Sequence, residues 1–307
     1  EAGGTVSAGF EVSCTGSGET LQAVEVPDQS DFTDQGVVLE PGDCGSWDWW
    51  LQGPATAIKH DGTLYLYYTA MDGDRQGGAC DDSNGDERNR HTGVATSTDN
   101  RTFSKAGSNP QITHQPNGDQ DFTTGEGGTL QGGSPGVVDG TFVLYVGGME
   151  EYETEQVDGD IVYYESTDGI SFSGKTDVGD HNGLAAYDDE NFPVGAVEID
   201  GSYYVYYTGQ GGGDTDWSLQ AINGSAPDSD MTGSSQKVSG PGSNNVKGKS
   251  GGAIRKSEDT VMITTQPCFG GCETKVWTAS TSDPISFTQQ ETWDWGSEVS
   301  EPHLFLD

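Results

Sequence analysis

The chain has 307 residues, 13 of them basic and 50 acidic, for a formal net charge of −37. So acidic a surface excludes nucleic acid as a partner, because phosphate binding needs clustered Lys and Arg. A hydrophobic content of 31% is low, but 7 Trp, 12 Tyr and 10 Phe at strand spacing still supply a packed core.

The acids run along the whole chain instead of collecting in a tail, the pattern of a protein adapted to concentrated salt, where charge repulsion is screened. No apolar run reaches the length of a membrane helix. No signal-peptide pattern opens the chain at Glu1, so a secreted protein is expected here in mature form. Of five cysteines, Cys268 and Cys272 flank a tight turn between two strand-like runs, and Cys14 with Cys44 is a second candidate pair. Disulfides would place the protein outside the cell or on its surface.

One phrase recurs along the chain. Gly53-Pro54 opens a short apolar run that meets Asp61-Gly62, followed by the alternating run Thr63–Ala70. Ser134-Pro135 with Asp139-Gly140, and Phe192-Pro193 with Asp200-Gly201, repeat it. Asp-Gly between two such runs predicts a hairpin, because both turn residues need φ > 0. A second phrase, Ser97-Thr98-Asp99 to Phe103, returns as Ser166-Thr167-Asp168 to Phe172 and as Ser282-Asp283 to Phe287. Weaker copies end at Phe32 and Met231. A period of roughly 55–70 residues belongs to propellers of four-stranded blades.

The expected fold is therefore all-β: a single five-bladed β-propeller over 1–307, nearly free of helix. Its blades span about 54–110, 135–180, 193–240 and 251–292. The last combines the C-terminal strand of 301–307 with N-terminal strands in 5–41. Segments 71–91, 107–133 and 208–216 read as polar loops.

The inner strands of a propeller begin around one mouth of its channel. That places Trp47, Asp48, Trp49, Trp50, Gln52, Ser134, Glu190, Asn191, Glu301 and His303 near it. Tryptophan faces stack on the C–H faces of sugars, and acids bond sugar hydroxyls, so Trp47, Trp49 and Trp50 form a candidate platform. The same rings could instead plug the channel as core. Asp82, Asn84 and Asp86 have the start of a calcium-loop spacing, but Glu87 stands where the loop needs Gly. A solvated acidic loop accounts for them equally.

The X-Pro inner strand, the Asp-Gly turn, the Tyr-Tyr-Thr-Gly strand and the Ser-Thr-Asp turn resemble the five-bladed propeller glycoside hydrolases of families 43, 32 and 68. The resemblance covers nearly the whole chain. It implies hydrolysis of oligo- or polysaccharide by opposed carboxylates, with no required cofactor beyond an optional Ca²⁺ ion. In those families two of the carboxylates stand just before the inner-strand Pro of the first two blades. Here Gly53, Ser134 and Phe192 precede the first three, and only Glu301 precedes its Pro as a carboxylate. Glu190 is then the candidate general acid and Asp48 or Glu301 the candidate base, while His303 resembles a channel histidine of family 43. Loss of the usual motif equally suits a non-catalytic carbohydrate-binding propeller, or a surface scaffold.

Overall fold

A computed structural model describes residues 6–7, 26, 28–31, 37–43, 45–71, 90–112, 123–131, 137–149, 160–180, 184, 190–210, 217–242, 246, 252–267 and 273–294. These residues are almost entirely strand and turn, with two three-residue 3-10 turns. They form four blades around a common line, rather than the five that the spacing predicts.

The first blade is β3 (Trp50–His60), β4 (Thr63–Met71), β5 (Arg90–Ser97) and β6 (Ser104–Lys105), each antiparallel to the next. The second is β7 (Thr123–Gln131) and β8 (Val137–Val138), both pairing β9 (Thr141–Met149), then β10 (Ile161–Ser166) and β11 (Ser173–Gly179). The third runs β12 (Glu190–Ile199), β13 (Ser202–Gln210), β14 (Trp217–Gly224), β15 (Gln236–Lys237). The fourth runs β16 (Gly252–Ser257), β17 (Thr260–Thr265), β18 (Thr274–Ser280), β19 (Thr288–Trp293).

The segment 107–133, expected to be loop, contains β7, a correction to the sequence reading. Its residues, Thr-Thr-Gly-Glu-Gly-Gly-Thr-Leu-Gln, show no apolar alternation. Tertiary pairing supplies what propensity does not. Besides pairing β9, β7 runs parallel to β12 through Ala196↔Leu130 and Val197↔Gln131, which joins blades two and three into one nine-stranded sheet.

The Asp-Gly turns form as the sequence predicts. Asp61, Asp139 and Asp200 have φ of 48°, 48° and 50°, and the glycine that follows each is also positive. In the second phrase the aspartate is the keystone. Asp168 Oδ1 accepts from Ser166 Oγ and from the Ile170 and Ser171 N–H groups, at 2.7–2.8 Å. The backbone donor of Ser171, ahead of the others, stabilises the carboxylate and holds it down at about 2. Asp99 repeats the arrangement with Ser97, Arg101 and Thr102. These are side-chain-capped turns, which is why Ser and Asp recur at fixed offsets.

The two phrases meet between blades. Tyr67 of β4 donates its buried hydroxyl to the Gly169 carbonyl in the turn of blade two, at 3.0 Å. Tyr145 of β9 donates to the Pro227 carbonyl in the turn of blade three, at 2.8 Å. Tyr206 of β13 donates to the Pro284 carbonyl in the turn of blade four, also at 2.8 Å. The terminal aromatic of each phrase packs on the same tyrosine: Phe172 on Tyr67 and Phe287 on Tyr206, both edge-on. Met231 takes that place in the cluster of Tyr145. Every described junction between consecutive blades is thus an aromatic contact closed by one hydrogen bond.

The N-terminal part touches both ends of this arc. β1 (Val6–Ser7) pairs β2 (Val37–Leu39), and Leu39 is buried with Leu51, Leu64 and Tyr68 of blade one. Val26 packs on Ile254, Met262, Val276 and Trp293 of blade four, and the Gln29 amide exchanges two hydrogen bonds with the Asp294 backbone. The C-terminal strand expected in 301–307 lies outside the described residues, as do all five cysteines.

Candidate functional site

Topology divides the two ends of the blades. Two-residue turns join β3 to β4, β8 to β9, β12 to β13 and β16 to β17 at one end, and the Ser-x-Asp turns lie there too. The long connections 72–89, 150–160 and 211–216 leave from the other end, and the segments between blades return to the inner strands there. Loops carried on a rigid scaffold are where binding residues concentrate. The heads of β3, β7, β12 and β16 therefore define the candidate mouth, with β3 beside β7, β7 beside β12 and β12 beside β16.

Of the residues expected there, Trp50 and Gln52 lie in β3, while Glu190 and Asn191 begin β12. Asn191 is almost fully buried and pairs with Gly209. Its carbonyl presses on β9 of blade two, where a Cβ at Gly147 would come within 2.0 Å of it. Only glycine at 147 allows this approach, so blade two sets the position of the strand head that carries Glu190. Ser134, Glu301, His303, Asp82, Asn84 and Asp86 lie outside the described residues.

Asp48 and Trp47 sit differently from their expected place around the channel. Residues 42–49 fold back over blade one: the Gly42 N–H donates to the Asp48 carbonyl at 2.8 Å, and Ser46 N–H to the Asp43 carbonyl at 2.9 Å. Asp48 is 5% exposed. Its Oδ1 accepts from Ser46 Oγ at 2.8 Å, and its Oδ2 pairs with Lys105 Nζ at 2.6 Å. Lys105 belongs to β6, the outermost strand of the blade. A carboxylate anchored through both oxygens to an outer strand holds structure and is poorly placed to move a proton at the axis.

Trp47 stacks on Tyr68 at 5.9 Å between ring centroids and meets His91 edge-on at 6.1 Å. Gly93 lies beneath it, where a Cβ would come within 2.5 Å of the indole. One face of Trp47 is therefore occupied by the protein, and Trp49 beside it is half-buried. Burial, and then the charge of Asp48, push the Tyr68 phenol well above its ordinary range. Asn109 completes the cluster: its amide donates to the Val94 carbonyl at 2.8 Å and to Tyr68 Oη at 3.2 Å. Lys105 and Asn109 were not foreseen. The one signal for Lys105 is scarcity, since a chain with 13 basic residues seldom buries one without a carboxylate to meet it.

Among the described residues, no group of three or more His, Cys, Asp or Glu could hold a metal ion, and no helix is long and apolar enough to cross a membrane.

No family model matches the chain, and no curated protein does. Solved structures do. A family 32 β-fructofuranosidase of Bombyx mori superposes with a TM-score of 0.50 at 15% identity, over 78% of this chain and 47% of the enzyme. The chain thus spans about half the length of that enzyme. A family 117 glycoside hydrolase of the marine bacterium Zobellia galactanivorans gives 0.53 at 16% identity, over 80% of this chain and 70% of that one. A β-1,2-mannobiose phosphorylase of Listeria innocua, in complex with its disaccharide, gives 0.54 at 10% identity, over 80% and 77%. At these identities the likeness is one of architecture: the chain has the β-propeller fold on which these glycoside hydrolases and this phosphorylase are built.

Proposed function

We propose that the chain is a carbohydrate-active propeller, a secreted or cell-surface glycoside hydrolase that acts on oligo- or polysaccharide at the mouth formed by its inner-strand heads. The observation that carries this reading is the fold shared with sugar-processing propellers, combined with the gathering of the long connections at that end. Glu190, at the head of β12, is assigned as general acid and Glu301 as the opposing carboxylate. Hydrolysis then proceeds by protonation of the leaving oxygen and attack at the anomeric carbon. A carboxyl separation near 5 Å would give retention and one of roughly 6.5–9.5 Å inversion. Asp48 holds Trp47 and Trp49 in place from behind. No cofactor is required for this chemistry; a calcium ion at Asp82, Asn84 and Asp86 would serve to order their segment.

The ring is proposed to be five-bladed. The four described blades form an arc whose ends are β3 and β16, and the N-terminal residues reach both ends. A strand from 301–307 would complete the fifth blade beside them.

The test is hydrolysis of aryl furanosides and pyranosides in molar salt by the parent and by Glu190→Gln. A loss of at least about 100-fold in kcat is expected, in keeping with removal of a general acid. Equal rates would remove Glu190 from the mechanism. A second reading, a binding propeller without hydrolysis, is favoured by Gly53, Ser134 and Phe192 standing before the inner-strand prolines. It predicts oligosaccharide binding by both proteins with no turnover by either.

We propose further that the charge is an adaptation to salt. The melting temperature should then rise by more than ten degrees or so between low and molar NaCl, as screening relieves repulsion among the acids. A constant melting temperature would contradict the assignment.

A further inference from the structure

The tyrosine latch is not present at every junction. Tyr67, Tyr145 and Tyr206 each occupy the fifth position of the second strand of their blade. The fifth position of β17 in blade four is Thr264. A threonine side chain is too short to span to a neighbouring turn, and it brings no ring for that turn to pack on. Thr264 Oγ1 instead accepts from the Gly252 N–H at 3.0 Å, within its own blade. What meets blade four on that side is the N-terminal segment, through Val26 and the Gln29 amide with its partners on the Asp294 backbone. That segment contains Pro27-Asp28-Gln29-Ser30-Asp31, the weak copy of the turn phrase, and the Ser30 N–H donates to Asp28 Oδ1 at 2.8 Å. The turn phrase is therefore kept where its tyrosine partner has been lost.

We infer that the chain is a rigid arc of four latched blades with a seam between blade four and the N-terminal strands, and that the ring opens at this seam before any other part unfolds. The inference stands on the described contacts alone and is independent of the proposed activity. Cooperative units of differing stability follow from differing burial and bonding at their boundaries. Here three boundaries carry a buried hydroxyl–carbonyl bond with an aromatic contact or methionine, while the fourth carries one valine and one glutamine.

Native-state hydrogen exchange on the full chain, measured as a function of denaturant, tests it. Amides of β2 should exchange at least about tenfold faster than those of β4, β9 and β13, with a denaturant slope that is smaller than the global one but not zero. Tyr206→Phe, which cuts the latch between blades three and four, should speed exchange in β17 by about tenfold relative to β4. Tyr67→Phe serves as a second variant and should speed β4 and β5 relative to β17. Equal rates and slopes for β2 and the three latched strands would overturn the inference. So would a zero slope for β2, which marks simple fraying, or latch variants that leave the relative rates unchanged.

Discussion

Replacing Tyr206 by Ala is expected to cost about 3–5 kcal/mol and to lower the melting temperature by roughly 5–15 °C. The ring is fully buried, lies edge-on to Phe287 at 5.8 Å, and shares a cluster with Trp217, Leu219, Ile263 and Trp277. That cluster is the whole interface of blades three and four, so a cavity there cannot be refilled from solvent or by one flexible neighbour. Tyr206→Phe separates the two components. It keeps the packing but leaves the buried Pro284 carbonyl without its donor, for about 1–3 kcal/mol. As a control, Tyr65→Phe alters a half-buried ring on the same sheet as Tyr67 and should stay within about 0.5 kcal/mol. Chemical denaturation of the three variants checks the order. A Tyr206→Phe protein as stable as the parent would mean that the hydroxyl contributes nothing to the junction.

The same latch explains how much of the fold was readable beforehand. Asp-Gly turns and Ser-x-Asp turns are local devices, written in adjacent residues, and Asp61, Asp139, Asp200, Asp99 and Asp168 all form them. Their period revealed blades because each turn receives the tyrosine of the blade before it. The parallel pairing of β7 with β12 was out of reach, since nothing in Thr123–Gln131 marks a strand until Leu130 and Gln131 meet Ala196 and Val197. The site was less legible still. Trp47-Asp48-Trp49-Trp50 reads as a group facing one place, yet the backbone bonds of 42–49 turn Trp47 and Asp48 onto blade one. That turn depends on Gly93 and Gly42, whose missing side chains make room for Trp47 and Asp48. Neither glycine is distinguishable in the sequence from the 45 others. In a chain with 50 acids, moreover, spacing cannot tell a carboxylate held by Lys105 from one left free to react.

Alkaline titration should unfold the protein cooperatively, beginning as the pH passes about 10 and complete near 12. Burial pushes the phenols of Tyr67, Tyr145 and Tyr206 well above the ordinary tyrosine range, and those of Tyr164 and Tyr207 to about 12. An unfolded tyrosine releases its proton near 10. Between that value and the folded ones, the unfolded chain therefore binds fewer protons, and stability falls as pH rises. Below pH 10 the full contribution is present. Each unit of separation corresponds to about 1.4 kcal/mol per phenol, so several phenols together exceed the whole stability of an ordinary domain within two pH units. The latch makes the transition abrupt, because ionising Tyr67, Tyr145 or Tyr206 removes the donor that closes a junction and places a charge against a carbonyl. Phenolate absorbance and far-ultraviolet circular dichroism, followed together, should show the buried tyrosines ionising only as the strands are lost. Full phenolate formation with the strand signal intact at pH 12 would show that these hydroxyls are open to solvent and that the junctions are not closed by them.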